Sequence, residues 1–474
     1  MPPRTRAQAR AAEAPTLLDA LARAPAAAAL VVGALKRAPD RRALRLAHPQ
    51  LRDAVNDATT KLNTVTGASD TVALCPPTAR RWPRLEELRI SRADAAVTER
   101  LGAETWGHLR SLHLDYDRWS GATAARALAA ALLRMPALRA LALRYLPIAE
   151  DAAAALFSAA VARATPQLRS LALDSDAELT PAAARALAAA GWRLEELDIM
   201  LSHDLGDAGV AALAAAPAFA LRRLDLRYCG LGIDGLAAIV AAPWPLQELD
   251  LSGNGGLGAG CAAALVAAPR LALRRLALGG CNMGAPELLA LAAAPWPLEE
   301  LDVGGGDYRA AAAGPALAAL SQRAGLRALI TGRCKLSAAG FAALVEGAWP
   351  SLTMLDTQEM EVDFGGSSAA FGAAAFAGFP RLETLQMAGT ELGEAGAHAL
   401  ARALARRRWP RLRTLGLSTI TLNDFGRAEL FRRGRNLDQN LDLRWNRMHT
   451  MYTRSQWRWW APALVELVDG HQRG

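Results

Sequence analysis

The chain has 474 residues, 52% of them hydrophobic, and its 54 Lys and Arg against 46 Asp and Glu give a formal net charge of +8. Its longest candidate membrane segment, residues 26–35, is about half the ~20 apolar residues a spanning helix needs, and five scattered cysteines argue against a disulfide framework and for a reducing compartment, cytoplasm or nucleus. The charge is also divided: residues 1–84 carry 14 basic and 6 acidic side chains, residues 401–474 carry 15 and 6, and the stretch between carries 25 and 34, so no contiguous basic face for nucleic acid is expected along most of the chain.

Residues 1–14 are expected to be a disordered basic tail. Residues 15–66 then predict helices: a short apolar one over 26–35, a break at Pro39-Asp40, and further helices over 41–47 and 51–62. Pro25 stands before the first of them, Leu30 and Leu35 lie on it, and Leu44, Leu46 and Leu51 follow the break. This string resembles a degenerate F-box. It departs by lacking a leucine before Pro25, an acid after it, and an aromatic near His48–Leu51. The resemblance implies a subunit of an SCF-type (cullin-RING) ubiquitin ligase, with Pro25, Leu30, Leu35, Leu44 and Leu46 packing on the F-box-binding adaptor. Read without the resemblance, the same residues are a helical cap.

From Leu85 onward a frame of the form L-x-x-L-x-L returns thirteen times, with first leucines at Leu85, Leu109, Leu138, Leu168, Leu194, Leu221, Leu246, Leu273, Leu298, Leu326, Leu352, Leu382 and Leu412. Intervals of 24 to 30 residues mean a solenoid, in which each unit buries its apolar side on its neighbours. The unit LRRLDLRYCGL at 221–231 shows the design. Leu224 and Leu226 alternate with Asp225, which predicts a strand with leucines inward and Asp225 outward. Leu236 and Ile239 then give a helical face, and Pro243-Trp244-Pro245 ends it before the next frame. Close analogues lie at Leu273–Met283 and Leu326–Leu336.

The string L-x-x-L-x-L-x-x-C/N-x-L, followed by an alanine-rich helix, resembles the ribonuclease-inhibitor-like class of leucine-rich repeats. The resemblance implies an α/β fold: a right-handed horseshoe with parallel concave strands and convex helices. About thirteen repeats are expected over residues 67–436. Residues 437–474 are expected to be a weak last repeat and cap, with Trp457, Trp459 and Trp460 sealing the apolar end.

Three sets of side chains are candidates for chemistry. Cys229, Cys281 and Cys334 occupy the ladder slot of the repeat and lack metal-ligand spacing, so no metal or cofactor is expected. Trp82, Trp106, Trp192, Trp244, Trp296, Trp349 and Trp409 precede frame leucines in fixed phase, as does Phe379, and read as core plugs. The outward mid-strand position holds Asp198, Asp225, Asp250, Asp302 and Asp356, with Glu196, Glu248 and Glu300 in the adjacent column. These predict an acidic concave surface open to solvent that favours a basic protein partner.

Without a pocket, histidine or nucleophile in register, the paired carboxylates are not expected to catalyse. The reading is a monomeric, non-enzymatic protein-recognition solenoid. Ran GTPase-activating proteins share this repeat type, so a regulator of a small GTPase is an alternative, as is a scaffold in cilia or the cytoskeleton. The arginines at 406–408 and at 432, 433 and 435 read as a solvated helix end.

Overall fold

A computed structural model describes residues 61–65 and, with short interruptions, 83–416. The F-box-like residues Pro25, Leu30, Leu35, Leu44 and Leu46, Trp82, the arginine clusters and the C-terminal tryptophans lie outside the described residues.

The frames become strands: β1 (Lys61–Val65), β2 (Glu87–Ala93), β3 (Ser111–Tyr116), β4 (Ala140–Arg144), β5 (Ser170–Asp174), β6 (Glu196–Asp198), β7 (Arg223–Asp225), β8 (Glu248–Asp250), β9 (Arg275–Ala277) and β10 (Glu300–Asp302). They continue as β12 (Ala328–Ile330), β14 (Met354–Asp356), β16 (Thr384–Gln386) and β17 (Thr414–Gly416), while β11 (Asp307–Tyr308), β13 (Lys335–Ser337) and β15 (Glu361–Asp363) form a second small sheet. The main sheet has fourteen strands among the described residues, all parallel and, but for the strands of the second sheet, in sequence order. Helices connect most of them, for example Pro181–Ala189, Gly206–Ala214, Ile233–Ala241 and Ala285–Ala293. A helix with side chains is ~10 Å wide and strands lie ~4.8 Å apart, so a one-to-one array must bend with its strands on the inside. Parallel strands alternating with helices in one sheet make a leucine-rich-repeat solenoid.

The frame leucines fill the space between sheet and helices. Leu221, Leu224, Leu226, Leu236 and Ile239 of one unit are all buried, as are their counterparts in neighbouring units. Each junction is held the same way: the carbonyl one residue after the first frame leucine accepts two amides of the next unit. Arg222 O takes the amides of Gln247 (2.8 Å) and Glu248 (2.9 Å), and Gln247 O takes those of Arg274 and Arg275. Seven residues after the first leucine the backbone turns left-handed, at Leu201, Tyr228, Gly253, Gly280, Gly305, Arg333, Glu359 and Gly389 among others. That region disfavours side chains with a Cβ, which explains the glycines at four of these sites.

The structure corrects the sequence reading in two places. The helix expected to reach Leu62 is instead strand β1, registered on β2 from Lys61↔Glu87 to Val65↔Ser91. Thr64 and Val65 are β-branched and suit a strand. The pairing satisfies the edge of β2, and the Lys61 ammonium sits 2.9 Å from Glu87. The sheet therefore begins before the boundary expected after residue 66. The second small sheet is an addition to the expected single array of strands. It arises where Tyr308, Leu336 and Val362 turn inward in three successive units, in the first two just before the helices Ala313–Ser321 and Ala338–Glu346.

The six described tryptophans are all buried plugs. The indole nitrogens of Trp106 and Trp349 donate to the carbonyls of Leu101 (3.0 Å) and Leu344 (2.9 Å), five residues earlier at the preceding helix end, and Phe379 stacks on Trp349 at 6.3 Å.

Candidate functional site

The five predicted aspartates share one local device. Each carboxylate folds back on its own chain, and its Oδ1 accepts the amide two residues on: Met200 N to Asp198 (3.2 Å), Arg227 N to Asp225 (3.2 Å), Ser252 N to Asp250 (2.9 Å), Gly304 N to Asp302 (2.9 Å) and Gln358 N to Asp356 (3.0 Å). On the other side of the turn, the ladder side chain occupies the carbonyl at the sixth frame position of the preceding unit. Cys229 Sγ donates to Ile199 O (3.0 Å), Cys281 Sγ to Leu251 O (3.1 Å) and Cys334 Sγ to Val303 O (3.2 Å). Asn254 does the most, accepting the amides of Cys229 and Leu231 and donating to the carbonyls of Leu226 and Leu251. Burial pushes the three thiols well up, so they are neutral donors rather than metal-binding thiolates. Among the described residues, no group of three or more His, Cys, Asp and Glu is placed to hold a metal ion.

The expected row of solvated aspartates is corrected. Asp225 and Asp250 are only 1% and 2% exposed, Asp302 and Asp356 are buried, and Asp198 is half-buried. Alternation does place them on the face opposite the leucines, but the turn back onto the chain withdraws their oxygens from water. Strand register sets Asp198, Asp225 and Asp250 side by side. Arg227, two residues beyond Asp225 on the same face, is 2% exposed and serves two of them. Its Nε lies 2.9 Å from both Asp225 oxygens and 3.5 Å from Asp250 Oδ2, its Nη2 lies 2.7 Å from Asp225 Oδ2, and its Nη1 has no partner. Burial, and then the Asp225 charge, hold the Asp250 carboxyl well above the ordinary range. Burial alone would lower the Arg227 guanidinium, but the Asp225 carboxylate beside it keeps it firmly protonated.

The glutamate column is half of an alternating ladder. In register across β6 to β10 stand Glu196, Arg223, Glu248, Arg275 and Glu300. Arg223 approaches Glu248 at 3.7 Å, Arg275 approaches Glu248 at 3.3 Å, and Arg275 approaches Glu300 at 3.4 Å. Glu196 is exposed and accepts from Ser170 at 2.9 Å. The surface is therefore of mixed charge, not a bare acidic wall.

Two arrangements look catalytic and are not built for it. Ser111, His113 and Asp115 share one face of β3, with Ser111 Oγ 2.9 Å from His113 Nε2. Burial and the Arg89 guanidinium hold the imidazole down at about 4, which makes it a weak base. Asp115 lies 3.2 Å from Ser91 and 3.9 Å from Arg144, where a relay would need it on His113. After β8, Gly253, Gly255 and Gly258 have phosphate-loop spacing. Their surroundings are those of repeat packing: the amides of Gly253 and Gly258 go to Gly279 O and Cys281 O, and a Cβ on Gly256 would strike Leu231 O at 2.8 Å. No helix among the described residues is long and apolar enough to cross a membrane.

A family model described as "Leucine Rich repeat" matches residues 194–214 and 220–240, the units that carry Asp198 and Asp225. No curated protein sequence matches the chain. Among solved structures, an internalin (inlF) from Listeria monocytogenes aligns over 85% of this chain and 92% of its own at 15% identity, with a TM-score of 0.37. The yeast complex of Rad7 and Elc1 aligns over 94% of this chain and 98% of the matched chain at 14% identity, with a TM-score of 0.43.

Proposed function

We propose that this leucine-rich-repeat scaffold holds a protein partner on its concave face, as the substrate-recognition subunit of an SCF-type ubiquitin ligase. The observation that carries the recognition reading is the alternating ladder from Glu196 to Glu300. Thirteen strand spacings of ~4.8 Å give an arc of roughly 60 Å, a protein-sized footprint. An ordered run of both signs specifies the register of a partner more than it adds raw affinity. Glu196, Glu248 and Glu300, with Arg223 and Arg275 between them, are the contact residues in this reading. Asp198, Asp225, Asp250, Asp302 and Asp356 lie behind them and hold the strand ends. The partner accordingly presents mixed charge, and a strongly basic one gains little from carboxylates already paired with arginine.

The ligase reading rests on the F-box-like pattern of Pro25, Leu30, Leu35, Leu44 and Leu46. Its test is co-purification of the full chain with the F-box-binding adaptor. Binding by the wild type that is lost in the double variant Leu30→Asp, Leu35→Asp supports the reading. No binding by the wild type removes the ligase role and leaves the recognition role standing. That role is tested separately by reversing Arg223 and Arg275 to Glu, which is expected to weaken capture of the partner without altering adaptor binding.

A further inference from the structure

We propose that Asp250 keeps a proton in the folded chain beside the Arg227–Asp225 pair, which makes the centre of the concave face a proton-linked element of the fold. The two carboxylates stand directly opposite each other on adjacent parallel strands and are almost wholly excluded from water. A single guanidinium serves both, unequally. Asp225 takes Arg227 through Nε and Nη2 at 2.7 to 2.9 Å and also receives the Arg227 amide. Asp250 Oδ2 is approached by the same Nε at 3.5 Å, whose N–H is already directed at Asp225, and the Ser252 hydroxyl also hydrogen-bonds the Asp250 carboxyl. Asp250 Oδ1 accepts the Ser252 amide, which leaves Oδ2 as the atom to carry a proton, with the Asp225 carboxylate in register on the adjacent strand.

The surrounding groups do not relieve the imbalance. Asp198 faces Asp225 from β6 and adds negative charge. On the other side β9 presents Ala277 opposite Asp250, and Asp302 stands one strand further. In the neighbouring column Arg223 and Arg275 are engaged with Glu248 and Glu300. Cys229 and Cys281, below the turn, are neutral thiols, and the other face of β8 is the leucine core. Two buried carboxylates and one buried guanidinium leave one uncompensated charge, which a low-dielectric site resolves by keeping a proton.

The linkage has a definite sign. Asp250 binds its proton more tightly folded than unfolded, so the stabilisation is complete at acid pH and is lost as pH rises through the neutral range. Asp250→Asn keeps the Oδ1 acceptor for Ser252 and replaces the proton with a fixed amide, so it is expected to abolish this component. Unfolding of the full chain is compared for wild type and Asp250→Asn from mildly acid to mildly alkaline pH. The ratio of their unfolding constants should change by up to ~10-fold per pH unit where the site titrates, with the variant the more stable at the alkaline end. Parallel pH profiles would overturn the proposal. If the variant does not fold, the infrared carbonyl stretch of a protonated carboxyl decides on wild type alone: present at neutral pH and lost on alkalinisation supports the proposal, and its absence at neutral pH overturns it.

Discussion

The N-terminal and central units solve the same backbone problem differently. In β2 to β5 the mid-strand residue is Arg89, His113, Ala142 or Ala172, and the strands run five to seven residues. From β6 the strands shrink to three, and at most of these positions an aspartate captures the amide two residues on, while Cys or Asn takes a carbonyl of the preceding unit. The backbone resumes pairing at the left-handed residue itself, with Tyr228 N on Ser252 O and Gly253 N on Gly279 O. Side chains in the centre thus take over bonds that the backbone makes for itself at the N-terminal end. Buried polar groups must be satisfied in either case. The central solution concentrates stability in a few replaceable side chains.

The variant with the largest expected effect attacks that concentration. Arg227→Met removes the only cation between two buried carboxylates and is expected to destabilise the protein by about 3–5 kcal/mol at neutral pH in chemical denaturation. The loss should shrink as pH falls, because protonation neutralises the carboxylates left without a partner. Next comes Asn254→Ala, which strands the buried amides of Cys229 and Leu231 and the buried carbonyl of Leu226, while Leu251 O keeps the Cys281 thiol, and it should cost about 3 kcal/mol. A loss below about 1 kcal/mol would mean that water replaces the ladder, and the contrast between the two regions would dissolve. The smallest effect is Gly280→Ala. A Cβ there meets only ordinary contacts, the nearest at 3.6 Å, so the positive φ of 69° alone should cost about 1–2 kcal/mol. Tyr145→Gly, at the same phase of an N-terminal unit, should by contrast relieve strain.

The repeat was legible because its signal is redundant: a leucine returning in phase thirteen times survives Ile, Val, Met or Thr at single positions. Thr331 and Thr357, in the sixth frame slot, keep their hydroxyls satisfied on the carbonyls of Asp356 and Gln386. The site was harder to read, since alternation says which face a residue takes and nothing about whether its oxygens reach water. Two signals were nonetheless present. Asp225 and Arg227, two apart in a strand, must share a face. The column through Glu196 also contains Arg223 and Arg275, and following both signs along it would have shown the pairing. Strand β1 has no leucine frame of its own, so the sequence carries no repeat signal for it.

The concave aspartates are spent on their own backbone. Amide hydrogen exchange of the free protein tests this at Arg227, Ser252 and Gly304, whose amides donate to the carboxylates of Asp225, Asp250 and Asp302. Protection comparable to the amides of Leu226, Leu251 and Leu278, which donate to backbone carbonyls of the next unit, is predicted, with selective loss at Ser252 in Asp250→Ala. Exchange at the rate of open chain, indifferent to that substitution, would contradict it.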